Sequence, residues 1–174
     1  TGTNTSIAVG ALVIDSAGTF NIGTSGHITT DSEGLSTGNV SIKATAVTAG
    51  NIVTTTIAAA DLANDVSGSV LISGNGAADG GVITGAVNIS SITTTGRVGA
   101  ATKDGVAGGQ IFVKANSIGV TGLIVSTGGA GTGAGDKAGG DAGDITLLSN
   151  TGAIVAGGVI TATGGLAANA GTDG

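Results

Sequence analysis

The chain has 174 residues, 36 of them Gly, with no Pro, Cys, Met, Trp or Tyr, and Phe20 and Phe112 are its only aromatic residues. Eleven acidic side chains face five basic ones for a net charge of -6, and no cluster of Lys and Arg is present, which argues against nucleic acid as a partner. The missing Cys excludes disulfides and thiolate chemistry, and no apolar run approaches the ~20 residues that a membrane-spanning helix needs, so no transmembrane segment is expected.

In chain order, Thr1 reads as a processed or excised start, and Ile7-Ala8-Val9 and Leu12-Val13-Ile14 read as a first strand layer. A pattern then recurs in which Gly is followed by an arbitrary residue, an apolar residue, an arbitrary residue and an apolar residue. Its copies are Gly18-Thr19-Phe20-Asn21-Ile22, Gly38-Asn39-Val40-Ser41-Ile42, Gly68-Ser69-Val70-Leu71-Ile72, Gly109-Gln110-Ile111-Phe112-Val113 and Gly143-Asp144-Ile145-Thr146-Leu147, with an extra copy at Gly85-Ala86-Val87-Asn88-Ile89. The alternation predicts strands with a dry and a wet face, so that Val40, Ile42, Val70, Ile72, Ile111, Val113, Ile145 and Leu147 point inward.

A second element follows each main copy: Ile28-Thr29-Thr30, Ile52-Val53-Thr54-Thr55-Thr56, Ile92-Thr93-Thr94-Thr95-Gly96, Ile124-Val125-Ser126-Thr127-Gly128 and Ile160-Thr161-Ala162-Thr163-Gly164. Next come stretches poor in large apolar residues, Asp31 to Thr37, Ala58 to Ser67, Arg97 to Ala107, Gly129 to Ala142 and Gly165 to Gly174, with a further insertion from Ser73 to Gly81. These read as loops, those at Arg97 to Ala107 and Gly129 to Ala142 as mobile loops leaving one side, because little burial offsets their ordering entropy. One helical turn is expected, at Ala58 to Ala63.

No single unit can bury its own apolar face, but units coiled into a column can pair each strand in parallel with its equivalent in the next coil. The absence of Pro suits such a column, because Pro would remove a ladder hydrogen bond from strands paired on both sides. The expected fold is therefore all-β: a parallel β-helix (β-solenoid) of about five irregular coils with Gly-rich loops on the flanks. Residues 1–174 form a single segment of it, part of a longer repeat chain or fibre.

The runs Gly143-Asp144-Ile145-Thr146-Leu147 and Ile160-Thr161-Ala162-Thr163-Gly164-Gly165, separated by Gly-, Ala- and Asp-rich loops, resemble the repeats of filamentous-haemagglutinin-type bacterial adhesins and exoproteins. That resemblance implies a right-handed coil and the role of a non-enzymatic, extracellular or cell-surface shaft of a bacterial adhesin or filament. The partners it implies are the chain itself end to end, further repeats, or surface glycans and host or neighbouring cells. Two alternatives compete: an ice-binding β-solenoid with Thr arrays, and a polysaccharide-active β-helix. Against the first, Thr29, Thr54, Thr94, Thr127 and Thr161 sit in variable contexts without a strict Thr-x-Thr period.

Residues that could carry chemistry are sparse. His27 is the lone histidine and alternates with Ile28, which makes an outward, solvated imidazole the expectation. Glycoside hydrolysis needs two carboxyl groups at a set separation, and the densest groupings are Asp31 with Glu33, and Asp136 with Asp141 and Asp144. No aromatic wall is available to line such a site, so no catalytic residue and no resident cofactor is expected. Asp136, Asp141 and Asp144 are instead candidate calcium ligands, as hard oxygen donors in Gly-rich turns. The calcium β-roll pattern is not met, because Gly128-Gly129-Ala130-Gly131-Thr132-Gly133 has Gly where Asp belongs.

Overall fold

A computed structural model describes residues 5–8, 11–33, 38–57, 67–74, 85–100, 103–133 and 135–168. Among them there is no helix, and the strands are β1 (Thr5–Ala8), β2 (Leu12–Asp15), β3 (Phe20–Asn21), β4 (Ile28–Glu33), β5 (Val40–Lys43), β6 (Val47–Ile57) and β7 (Val70–Ser73). They continue with β8 (Ala86–Thr95), β9 (Ile111–Ala115), β10 (Ser117–Val120), β11 (Ile124–Thr127), β12 (Ile145–Ser149), β13 (Ile154–Ala156) and β14 (Ile160–Thr163). All strand pairings are parallel, and the chain is all-β and repeat-like.

The strands form a five-stranded sheet, β2-β5-β7-β9-β12, and a nine-stranded sheet with two arms. The arms share β6 and β8, which are long enough to serve both: β3, β10 and β13 belong to one, and β1, β4, β11 and β14 to the other. Each successive stretch of chain therefore adds one rung to each of three stacks. In the first stack Val40, Val70, Ile111 and Ile145 lie in one column. Val47, Val87, Ile118 and Ile154 form the second column, and Ile28, Ile52, Ile92, Ile124 and Ile160 the third.

Alternation explains what is buried. Val40, Ile42, Val70, Ile72, Ile111 and Val113 are essentially inaccessible and share one core with Val47, Val87, Ile52 and Ile92 from the other two stacks. Ile145 and Leu147 point the same way but are only half-buried, because β12 has a neighbour on one side alone. At that end of the stacks Ile154 and Ile160 remain 45% and 49% exposed, whereas Ile118 and Ile124 one rung inward are 1% and 0% exposed.

The recurring Gly of the first-stack motif has a specific reason, and it is not a left-handed turn: positive φ occurs only at Gly23, Gly133 and Gly135 among the described residues. Successive glycines sit directly over one another. A Cβ on Gly68 would lie 2.3 Å from the Gly38 carbonyl oxygen, and one on Gly109 would lie 2.1 Å from that of Gly68. The same carbonyls accept hydrogen bonds from a buried hydroxyl of the third stack: Thr30 donates to Gly38, Thr54 to Gly68, and Thr94 to Gly109 at 2.6 Å. Ser126 adds a 3.0 Å bond to Gly109 and accepts one at 2.8 Å from the Gly143 amide. These hydroxyls sit in a core position yet leave no orphaned donor, as buried polar groups require.

Three expectations change. The copy at Gly18 to Ile22 does not belong to the first stack: β3 pairs with β6 in the second, and Leu12–Asp15 takes the first-stack place. The extra copy at Gly85 to Ile89 is the second-stack rung of its unit. The described residues of the stretches Arg97 to Ala107 and Gly129 to Ala142 are not free loops but a hydrogen-bonded layer. Gly96 and Gly99 donate to Thr127 and Ala130, and Gly128 and Gly131 to Thr163 and Leu166, at 2.7–2.9 Å. Crosswise bonds run from Gly165 to Gly140, Gly140 to Gly129, Gly129 to Val106 and Val106 to Arg97, at 2.8–2.9 Å. The bonding glycines recur every three residues, not at the period of two of a strand. Side-chain apolar area was the wrong quantity to weigh: with a hydrogen in place of Cβ at Gly129, whose Cβ would fall 1.7 Å from the Arg97 oxygen, backbones approach closely enough to bond. The turn expected at Ala58 to Ala63, and the insertion beyond Gly74, lie outside the described residues.

Two substitutions separate these effects. Gly109→Ala forces a Cβ onto a backbone oxygen and is expected to cost at least the ~1–3 kcal/mol of overpacking, whereas Gly18→Ala, whose nearest neighbour atom would be 3.9 Å away, should stay within ~0.5 kcal/mol of the parent. Thr54→Val keeps the shape but strips the Gly68 carbonyl of its hydroxyl donor, for an expected loss of about 1–3 kcal/mol. Urea denaturation of the three variants checks the order.

Candidate functional site

The side chains opposite the core make the three outer faces on which function has to sit. On the first stack they are chemically mixed: one column runs Val13, Ser41, Leu71, Phe112, Thr146, and the next Asp15, Lys43, Ser73, Lys114, Leu148. Between these columns lies a shallow groove of ≈ 190 Å³, floored by Leu71 and Phe112 with Ser41, Lys43 and Ser73 around it. In the column just before these strands the register is held by side chains, since Asn39 Oδ1 accepts from the Ser69 amide at 2.8 Å and Ser69 Oγ from that of Gln110 at 3.3 Å.

The corner between the second and third stacks is polar and carries His27. Its Nδ1 accepts a 2.9 Å hydrogen bond from the Asn51 amide, and Ser91 Oγ donates to Asn51 Oδ1 at 2.9 Å. The imidazole is half-buried and tied to the backbone of the next rung, not the free solvated ring expected from the sequence. Among the described residues no hydroxyl is bonded to it, so no base–nucleophile pair is seen there among them.

The outer face of the third stack differs from both. Thr29, Val53, Thr93, Val125 and Thr161 stand in one column. Two residues along each strand, Thr55, Thr95, Thr127 and Thr163 stand in a second. The sequence concealed this, because Thr54 and Thr94 belong to the buried column and Thr29, Thr127 and Thr161 to two separate outer ones. Only the pairing register sorts the Thr-rich runs into inward and outward sets. Once sorted, every outward position in these two columns from β6 to β14 is Thr or Val, while at β4 Asp31 pairs with Thr55 in the second column.

The carboxylates are dispersed. Asp136, Asp141 and Asp144 are exposed, and among the described residues no three His, Asp or Glu side chains lie close enough together to hold a metal ion. Asp141 and Asp144 are used through their backbones, whose carbonyls accept from Gly108 and Ile111 at 2.8 Å. A carboxylate the sequence did not single out, Asp104, accepts from the Ala138 amide at 2.9 Å and ties the two Gly-rich stretches together. Asp31 and Glu33 both lie in β4, but their side chains are outside the described residues. Among the described residues no helix is long and apolar enough to cross a membrane.

No family model, no curated protein and no solved structure matches the chain.

Calcium gives a direct check of the acidic candidates. Added Ca²⁺ is expected to leave the melting temperature of the parent chain and of Asp141→Asn the same, and a rise in the parent that Asp141→Asn abolishes would assign a calcium site to this region.

Proposed function

We propose that the chain is a stiff, non-enzymatic structural segment, a right-handed parallel β-solenoid forming part of the shaft of a bacterial surface adhesin or filament outside the cell. The observation that carries this reading is the unbroken register of three parallel stacks around one core, which continues to the terminal rung without a cap among the described residues. A column of this kind draws its stability from nearest-neighbour rungs and resists bending because its hydrogen bonds run along its length. The right-handed sense follows from the strong preference for right-handed crossovers between parallel strands of one sheet.

The exposed terminal rung supports end-on continuation. Ile154 and Ile160 occupy positions that are sealed one rung inward, and among the described residues β12, β13 and β14 each have a strand neighbour on one side alone. Another rung, from further repeats or from the N-terminal rung of a second copy, would bury these residues at roughly 25 cal/mol per Å² of apolar surface and pair the edges. Recognition of glycans or of neighbouring cells then falls to the outer faces, where the groove over Leu71 and Phe112 offers the one described aromatic ring on the first stack.

Sedimentation velocity and electron microscopy of the 174-residue chain test the reading. Concentration-dependent end-to-end association is expected, and Ile160→Lys should reduce it strongly. A parent chain that stays monomeric at high concentration with its terminal rung bare would contradict the proposal.

A further inference from the structure

We propose that the outer face of the third stack binds ice. The two columns found there combine features absent from the rest of the surface. Each position from Thr55 to Thr163 in the outer column, and from Thr29 to Thr161 in the inner one, carries a β-branched side chain with at least one methyl group. Thr adds a hydroxyl. From β6 to β14 no charged residue occupies these positions, and the outer column meets a charged residue at the β4 rung, where Asp31 pairs with Thr55.

The spacing is set by the backbone. Rungs in a parallel ladder repeat at ~4.8 Å and alternate residues along a strand at about 6.6 Å, so the side chains form a rectangular grid. That grid approaches the repeat of oxygen atoms on a prism face of hexagonal ice. Methyl groups on such a grid order the water above them, while hydroxyls anchor it by hydrogen bonds that cost little entropy when the water is already placed.

The grid is also rigid before any ice is met. Thr and Val have stiff χ1 angles, which lowers the entropy lost on binding. Between the two columns, the inward residues Thr54, Thr94 and Ser126 are each bonded to a Gly carbonyl, which fixes the strands that carry the face. The first stack supplies the contrast. Its outer columns place Asp15, Lys43, Lys114 and Phe112 where a lattice would need small, uncharged groups. The second stack's outer column, Asn21, Thr48, Asn88, Gly119 and Val155, is uncharged but irregular in size and chemistry. The third stack alone repeats Thr or Val from β6 to β14, and solid water is the partner that such a grid of methyls and hydroxyls fits.

Thermal hysteresis and ice-recrystallisation inhibition of the 174-residue chain are the test, with far-UV circular dichroism and melting to confirm the fold of each variant. The parent is expected to shape ice crystals and slow their coarsening. Thr95→Lys and Thr127→Lys should each lose most of that activity, while Gln110→Lys, on the first stack, should keep it. A parent with no more effect than an equal mass of serum albumin, or equal losses in all three lysine variants, would overturn the proposal. Should a lysine on this face unfold the chain, Thr95→Ser removes one methyl without adding bulk: lowered activity is expected, and unchanged activity would overturn the proposal. Ice activity is read on single chains, so its outcome is independent of end-to-end association.

Discussion

The structure depends on one constraint: parallel strands bonded in register place each residue directly over its equivalent in the rung before. Whatever a position does in one rung it must do again in the next, because a one-residue slip would turn the core face outward. The Ile column of the third stack, the Gly column at the entry to the first and the hydroxyl column of Thr30, Thr54, Thr94 and Ser126 are three answers to that demand. Stacked Ile fills space, stacked Gly vacates it, and the hydroxyl uses the carbonyl that the missing Cβ leaves reachable. Pro is incompatible with all three, since each rung needs its amide.

Much of this was legible in the sequence. The alternation at Val40, Ile42, Ile111 and Val113 identified the dry face, and the repeated Gly marked where β5, β7, β9 and β12 begin. Two things were not legible. Alternation alone does not say which of three stacks a strand joins, so Phe20 was grouped with Val40 although it pairs with Val47. Nor does a run of Thr say which hydroxyl faces in, because Thr is at home on either side of a strand when a carbonyl waits inside. The candidate face emerged only when pairing separated Thr93 and Thr95 from Thr94.

The Gly-rich stretches show a different limit of sequence reading. Sparse apolar side chains usually mean disorder, since burial cannot offset chain entropy. Here the backbone itself supplies the contacts, in a layer where amides such as those of Gly129, Gly140 and Gly165 find carbonyls across Cβ-free approaches. Polar chemistry is correspondingly spare: His27 and Asp104 each receive a backbone amide, which makes them parts of the scaffold. Distinctiveness is left to the outer faces, one irregular with Asp15, Lys43 and Lys114 along it, one with Thr or Val at every position of two columns from β6 to β14.

The central claim is that register and backbone bonding extend from the strands through the Gly-rich layer. Native-state hydrogen exchange measures it directly. The amides of Val106, Gly129 and Gly140, each bonded at 2.8–2.9 Å, should be protected to a degree comparable with those of Ile92 and Ile124 in the core stack. Exchange of these three amides at the rate of an unstructured peptide, with Ile92 and Ile124 still protected, would contradict the account.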